Sequence, residues 1–357
     1  MMEMIDILKA CVQKGASDLH LVIGQPPMIR QDGDLKPMSE FPALTAEESR
    51  RLVYTLLSDE QRVRFEKEWE LDFSVAVDQI SRFRANLLVQ KNGVEAVLRV
   101  ISGRIPSPDD LALPQAVTDL SNLPRGLVLV TGPTGSGKST TLACLVNQIN
   151  LKRRSHILTI EDPIEFVYEN KNSVVRQREI GSQSRSFAAA LKHALRQDPD
   201  VVLIGEMRDL ETIGAALTMA ETGHLVFGTL HTTDAAQTVD RIIDVFPAYQ
   251  QQQVRTQLSS VLKAVVSQTL IPRFNAKGRV AAREIMMVTS AISNLIREGK
   301  SHQIYGAIET GARVGMISLD KSLQDLVKRG IISAEEAAAK ANHPETFRGG
   351  SPVGAAA

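Results

Sequence analysis

The sequence predicts an α/β protein in two parts, a small mixed module followed by a larger domain built on a parallel sheet. Three observations predict it. Past Pro124, short apolar runs alternate with helical patterns, as in sheets covered on both faces. A glycine-rich turn, Gly132 to Ser139, lies between one such run and a helix. The stretch Gly103 to Pro124 carries four prolines, Pro106, Pro108, Pro114 and Pro124, a density that marks a connection between domains. We therefore expect an N-terminal module over 1–103, a linker over 104–124, a second domain over 125–345 and a disordered tail over 346–357.

In the N-terminal module, Ile5, Leu8 and Val12 fall on one face of a helix from Met4 to Lys14. Leu19 to Ile23 reads as a strand, and Gln25-Pro26-Pro27 and Gln31 to Asp34 are turns. Thr45 with Glu48 three residues on forms a capping box, opening a helix that runs to Leu57. Leu71 to Val77, Phe83 to Val89 and Val94 to Ile101 read as strands. Trp69, the single tryptophan, is expected in the core or as an interface anchor. In the second domain, strands are expected at Leu127 to Val130, Ile157 to Ile160, Val201 to Ile204 and Leu225 to Gly228. Helices are expected from Lys138, Ser186, Leu210 and Thr233.

Composition narrows the functional classes. At 357 residues, 43% hydrophobic and 23% charged, the chain is ordinary for a globular protein with a sizeable core in each part. No apolar run reaches the ~20 residues of a membrane-spanning helix. Glu3 and Asp6 interrupt a start that would otherwise have to be basic and then apolar, so no signal peptide and a cytoplasmic location are expected. The 41 basic and 41 acidic residues cancel, which removes the global charge that drives nucleic-acid binding and argues against a DNA translocase. Cys11 and Cys144 lack paired spacing and are expected as buried thiols, neither disulfide nor zinc ligands.

The chemistry is carried by four segments. Gly132-Pro133-Thr134-Gly135-Ser136-Gly137-Lys138-Ser139, with Thr140 after it, follows a strand and opens a helix, the context a phosphate loop requires. Its backbone N–H groups would cradle the phosphates of ATP, Lys138 would reach the β- and γ-phosphates, and the Ser139 hydroxyl would ligate Mg²⁺. Glu206 ends the apolar run Val201 to Ile204-Gly205 and is expected to help organise Mg²⁺. Glu161-Asp162-Pro163 places carboxylates on a turn where Pro163 stops a strand; Glu161 is the expected base for the attacking water, and its presence argues against a nucleotide-binding module without turnover. His224 and His231 bracket the run Leu225 to Leu230, His224 as a nucleotide contact and His231 as a sensor of the γ-phosphate.

These residues resemble the secretion-type P-loop ATPases, and among them the type IV pilus retraction (twitching motility) ATPases. The resemblance runs from about residue 4 to 345. It includes Gly15-Ala16-Ser17-Asp18-Leu19-His20-Leu21, Gly24-Gln25-Pro26-Pro27, Arg30, the acidic box Ile160 to Glu165, and Gly205-Glu206-Met207-Arg208-Asp209. It implies a RecA-like ATPase domain with a PAS-like N-terminal domain, working as a homohexamer in which ATP binds between subunits. Glu161 is similar to the family's base and Glu206 to its Walker B residue. Arg84 and Arg99 look like the N-domain arginines that reach the γ-phosphate, a role suited to a permanently charged planar donor. The implied partners are the inner-membrane platform protein of the pilus, at whose cytoplasmic face the motor would sit, and a paralogous pilus ATPase. Extension and type II secretion ATPases share the motifs but usually carry a longer N-terminal region and four zinc-binding cysteines, which this chain lacks. The family's Ala-Ile-Arg-Asn-Leu-Ile-Arg-Glu reads Ala291 to Glu298 here, with Ser293 in place of the arginine, a departure that keeps an accessory retraction paralogue as the alternative. The spacing of Ile292, Leu295 and Ile296 predicts a helix whose apolar stripe could transmit ring motion.

Overall fold

The computed structural model describes residues 2–31, 33–77, 80–101 and 103–347. The expected tail, 346–357, lies outside them from residue 348 on, as does Asp32 of the second turn. The chain divides into two compact units, one of residues 1–104 with 163–167 and one of 105–162 with 168–357.

The first unit begins with helix α1 (Met4–Gln13), whose Met4, Ile7, Leu8 and Cys11 are buried. Strands β1 (Asp18–Leu21), β2 (Met28–Gln31) and β3 (Asp34–Pro37) come next, then α2 (Ala46–Tyr54), α3 (Asp59–Glu68), β4 (Glu70–Val77), β5 (Ser81–Gln90) and β6 (Gly93–Ile101). The expected Thr45 capping box is present; α3 carries a second, Ser58 with Gln61, which the sequence reading omits. The strands form one antiparallel sheet in the order β3-β2-β1-β6-β5-β4, with Leu19, Leu21, Phe83, Leu87 and Leu98 buried on one face. Trp69 corrects the core expectation. It caps α3 in the left-handed region (φ 62°), where the chain reverses into β4, and is 66% exposed.

The second unit starts with short α4 (Gln115–Thr118) and continues through β7 (Gly126–Thr131), α5 (Lys138–Lys152), β8 (His156–Glu161), β9 (Val174–Glu179), α6 (Phe187–Ala194), β10 (Val201–Ile204), α7 (Leu210–Glu221) and β11 (Leu225–Leu230). Helices α8 (Ala235–Asp244) and α9 (Ala248–Val261), the hairpin β12 (Leu262–Pro272) and β13 (Arg279–Met287), and α10 (Ser290–Arg297) come after them. The unit ends with α11 (Ile304–Thr310), α12 (Leu319–Lys328) and α13 (Ala334–Ala338). Its sheet runs β13-β12-β7-β11-β10-β8-β9, parallel except for β13. Strands β7, β10 and β11 are buried at every position, as continuous apolar runs in a doubly covered sheet should be.

Three strands of the second unit are absent from the sequence expectation, as are β2 and β3 of the first. β9 is a partly exposed, polar edge strand with no apolar run to reveal it. β12 follows α9 without a turn residue between, and β13 pairs back across Arg273 to Gly278. The helix over α10 is present, but Ile292 and Ile296 are 0% and 1% exposed in the core of their own unit, with Leu295 packed beside them. The stripe is therefore ordinary core, which corrects the transmission reading. No helix among the described residues is long and apolar enough to cross a membrane. Cys11 and Cys144 are free and buried, and burial pushes both thiols up to about 11, so they stay protonated.

Candidate active site

Parallel pairing sets the site. β7, β8, β10 and β11 run the same way in register, with Ile204 opposite both Ile160 and Gly228, and Leu230 opposite Thr131. The residues that leave these strands therefore emerge together along the carboxyl edge, where open α/β sheets bind ligands. They are Gly132 after β7, Gly205-Glu206 after β10 and His231 after β11, with Glu161 the last residue of β8.

The loop Gly132 to Gly137 turns from β7 into α5. Gly132 takes φ 137°, and a Cβ there would lie 2.2 Å from the Gln268 carbonyl oxygen, so no other residue fits. Gly137 caps α5 in the left-handed region (φ 86°) and aims the first free N–H groups of the 15-residue helix at the loop. Lys138 is only 9% exposed; its Nζ donates to the carbonyl oxygens of Gly132 at 2.8 Å and Pro133 at 3.1 Å, across the mouth of the loop. The Ser136 hydroxyl is buried without a hydrogen-bond partner. A phosphate seated in the loop supplies what both groups need, an anion for the ammonium and an acceptor for the hydroxyl. Pro133, Thr134 and Gly135 form the exposed rim, and Ser139 and Thr140 are half-buried in the first turn of α5.

Glu161 is 8% exposed at the end of β8, rather than on the turn expected from Pro163. Its Oε1 accepts from Thr159 Oγ1 at 2.5 Å and Gln177 Nε2 at 3.2 Å, which fixes the carboxylate direction. Asp162 is exposed. Glu206 Oε1 is held by Arg208 Nε and by His231 Nε2 at 3.0 Å, so the carboxylate and the expected sensor are joined directly. Thr229 Oγ1 donates to the Gly205 carbonyl at 2.5 Å, and Met207 N to the Thr229 carbonyl at 3.0 Å, locking β10's exit to β11. The Ser139 hydroxyl and Glu206 carboxylate are hard oxygen donors of the kind Mg²⁺ takes beside phosphate oxygens. Among the described residues no cluster of three or more acidic, histidine or cysteine side chains could hold a metal unaided.

His224 is not brought to this site. It precedes β11, and its carbonyl accepts from the N–H of Gly126, the first residue of β7, at 2.9 Å. That is the opposite edge of the sheet, ~20 Å from the loop at 3.3 Å per residue. Its Nδ1 is engaged with the Met219 carbonyl at 2.9 Å, as a structural histidine would be. Arg84 and Arg99 lie in the first unit as direct cross-strand neighbours on β5 and β6. Asp18 on β1, paired with both Arg30 and Arg99 in register, accepts from Arg99 Nε at 2.8 Å. Burial pushes the Asp18 carboxyl up, but hydrogen bonds from Arg99 and Ser17 and the Arg99 charge outweigh it and hold the carboxyl below its usual value.

The sequence reading misses the support under the loop. Thr131 Oγ1 and Ser267 Oγ share a buried 2.8 Å hydrogen bond, and Glu284 stands opposite Ser267 on β13. Gln268 adds bonds to Ser136 and Thr141. A polar pair, Ser267-Gln268, inside the apolar run Ala264 to Ile271 is the signal that marks them.

Glu284 is 2% exposed; its Oε1 accepts from the Ala235 N–H at 2.8 Å, at the start of α8. Burial pushes its carboxyl up to about 7, with Asp234 and Asp320 adding to the rise and the Ala235 bond opposing it. The folded chain thus holds this proton to near neutrality, whereas an unfolded carboxyl releases it near 4.5. Its contribution to stability is full below about 4.5 and is lost as pH rises through 7, on the order of 3 kcal/mol at ~1.4 kcal/mol per pKa unit. Glu284→Gln should therefore gain stability over the wild type at pH 8 and gain far less at pH 5, read by urea unfolding. An equal effect at both pH values would contradict this assignment.

A phosphate loop opening a helix at the carboxyl edge of a parallel sheet, with one glutamate ending β8 and another two residues past β10, defines a P-loop nucleotide-binding protein of the ATP-hydrolysing kind. The chain belongs to the family described as Type II/IV secretion system protein, which it matches over residues 3–339. It is 52% identical to the "Type IV pilus retractation ATPase PilT" of Pseudomonas aeruginosa over 346 residues, 97% of this chain and 100% of that one. It is 40% identical to the "Type IV pilus ATPase PilU" of the same organism, across 97% of this chain and 91% of that one. Among solved structures, the "Pilus Retraction Motor PilT and Bound ADP" superposes with a TM-score of 0.91 at 46% identity, covering 97% of this chain and 99% of that one.

Proposed function

We propose that the chain is a homohexameric motor ATPase that hydrolyses ATP to retract type IV pili and so supports twitching motility. The observation that carries the reading is the 52% identity, end to end, with a named retraction ATPase. In this reading the loop from Gly132 to Thr140 binds the phosphates, with Lys138 neutralising their charge. Mg²⁺, when bound, supplies charge stabilisation at the phosphates, and Ser139 and Glu206 are the residues that would hold it. Glu161, its Oε1 held by Thr159 and Gln177, takes the proton of the attacking water. His231, joined to Glu206, carries the presence of the γ-phosphate into the loop before α8. Arg84 and Arg99 act on the nucleotide of a neighbouring subunit. The motor works in the cytoplasm at the inner-membrane pilus base, against the platform protein and alongside a paralogous ATPase.

Deleting the gene tests the reading: cells should stay piliated and lose twitching. Loss of pili would point to extension instead. Normal twitching would favour the second reading, an accessory retraction paralogue, which Ser293 supports. Its hydroxyl donates to the Ser259 carbonyl at 2.7 Å, where the resembling family carries an arginine.

The arginines have a separate test. Arg84→Ala and Arg99→Ala should each lower turnover in the assembled protein, with hexamer content little changed. Because Asp18 is 5% exposed and paired to Arg99, Arg99→Ala should cost the more stability of the two. Wild-type kcat in both variants would remove them from the reaction.

A further inference from the structure

We infer that Gln268 is a positioning residue of the nucleotide site, a splint on β12 that holds the phosphate loop in its binding shape. The inference rests on the nucleotide-binding reading of that loop.

Gln268 is 3% exposed and both ends of its amide are used. Nε2 donates to the Ser136 carbonyl at 2.7 Å, inside the loop. Oε1 accepts from Thr141 Oγ1 at 3.0 Å, one turn into α5. One planar side chain thus ties the loop to the helix that the loop feeds. The peptide it grips is the Ser136–Gly137 unit, so the bond to the carbonyl oxygen also sets the direction of the Gly137 N–H on its far side. The backbone takes part as well. The Gln268 carbonyl oxygen sits 2.2 Å from where a Cβ on Gly132 would be, and Nε2 lies 3.2 Å from the corresponding point on Gly137. The loop's first and last glycines are therefore shaped against this one residue. Neighbouring Ser267 bonds Thr131, the residue before the loop, at 2.8 Å. Two adjacent residues of β12 thus brace the loop's entrance and exit.

A loop whose N–H groups must converge on a phosphate binds best when their directions are set beforehand. Loss of the splint should show in nucleotide affinity, and only secondarily in the fold. Gln268→Met keeps the length and removes both bonds. It should weaken Mg–ATP binding and raise KM by roughly tenfold or more, the usual worth of a buried hydrogen bond whose partner is left unmet. At saturating ATP, kcat should stay within about threefold, since the bound phosphate itself reorders the loop.

Gln268→Glu supplies a readout that a merely structural role would not move. Ionised, it still accepts from Thr141 but has no proton for the Ser136 carbonyl; protonated, it regains a donor. Its affinity deficit relative to wild type should shrink between pH 8 and pH 6. The full chain is used throughout, with Kd and KM for Mg–ATP measured beside the nucleotide-free melting temperature. If Gln268→Met does not fold, the pH series of Gln268→Glu decides. Wild-type Kd and KM with only a lowered melting temperature would overturn the positioning role, as would a pH-independent deficit in Gln268→Glu. A wild-type chain that binds no ATP would overturn the nucleotide reading and this inference together.

Discussion

Lys138→Ala is expected to abolish ATP turnover. The lysine is buried to 9% exposure at the loop mouth, with its ammonium on the Gly132 and Pro133 carbonyls. An arriving phosphate chain exchanges those neutral acceptors for charged oxygens, a stronger bond in a site partly closed to water. Removing the ammonium takes away the one charged side chain of the loop itself and leaves its N–H groups and the Ser136 hydroxyl as the loop's donors. Each charge-assisted bond is worth about 1.5–3 kcal/mol, so losing two costs roughly 10²–10⁴ in transition-state binding. The fold should survive, because alanine is a strong helix former at the first position of α5. Steady-state phosphate release by the purified protein, with circular dichroism as the control, checks the result. Turnover near the wild-type rate would show that the loop assignment is wrong.

Glu161→Gln is expected to keep ATP binding and to lower kcat by roughly 10²–10⁴, the usual worth of a general base. The substitution is nearly isosteric. Thr159 Oγ1 and Gln177 Nε2 both donate to Oε1, and an amide oxygen accepts them as a carboxylate oxygen does. Geometry is thus preserved while the proton acceptor is removed. Glu206→Gln provides the contrast. Its carboxylate is joined to Arg208 and His231, so the change should instead raise the Mg²⁺ concentration needed for turnover. Equilibrium binding of ATP, kcat and a Mg²⁺ titration on both variants separate the two roles. Exchanged phenotypes would sink the division of labour between the acids.

The phosphate loop, the acids of β8 and β10 and the histidine after β11 are legible in the chain because each belongs to a local pattern. An apolar run reveals a strand, and the residue that ends it lands at the sheet edge whatever the distant chain does. His224 shows where this reasoning stops. Flanking an apolar strand on both sides looks symmetric in sequence, but a parallel strand has one end at the ligand edge and one at the far edge. Only direction in the sheet tells His231 from His224. The core half of the Trp69 expectation fails for a similar reason: its hydrophobicity argues for the core, while the left-handed cap between α3 and β4 turns it outward.

By itself the sequence determined the α/β class, the glycine-rich loop between β7 and α5 and the residues on the carboxyl edges of β8, β10 and β11. These arise from period, punctuation and spacing over a few neighbouring residues. Tertiary structure alone decided what stands behind them. Gln268 is 132 residues from Ser136 and 127 from Thr141, and Gln177 reaches Glu161 across the β8–β9 pair. Glu284 is pushed to about 7 by burial among elements that lie far apart in the chain. Such partners are chosen by strand order and register, which depend on how whole elements pack, and no local stretch of sequence encodes that order.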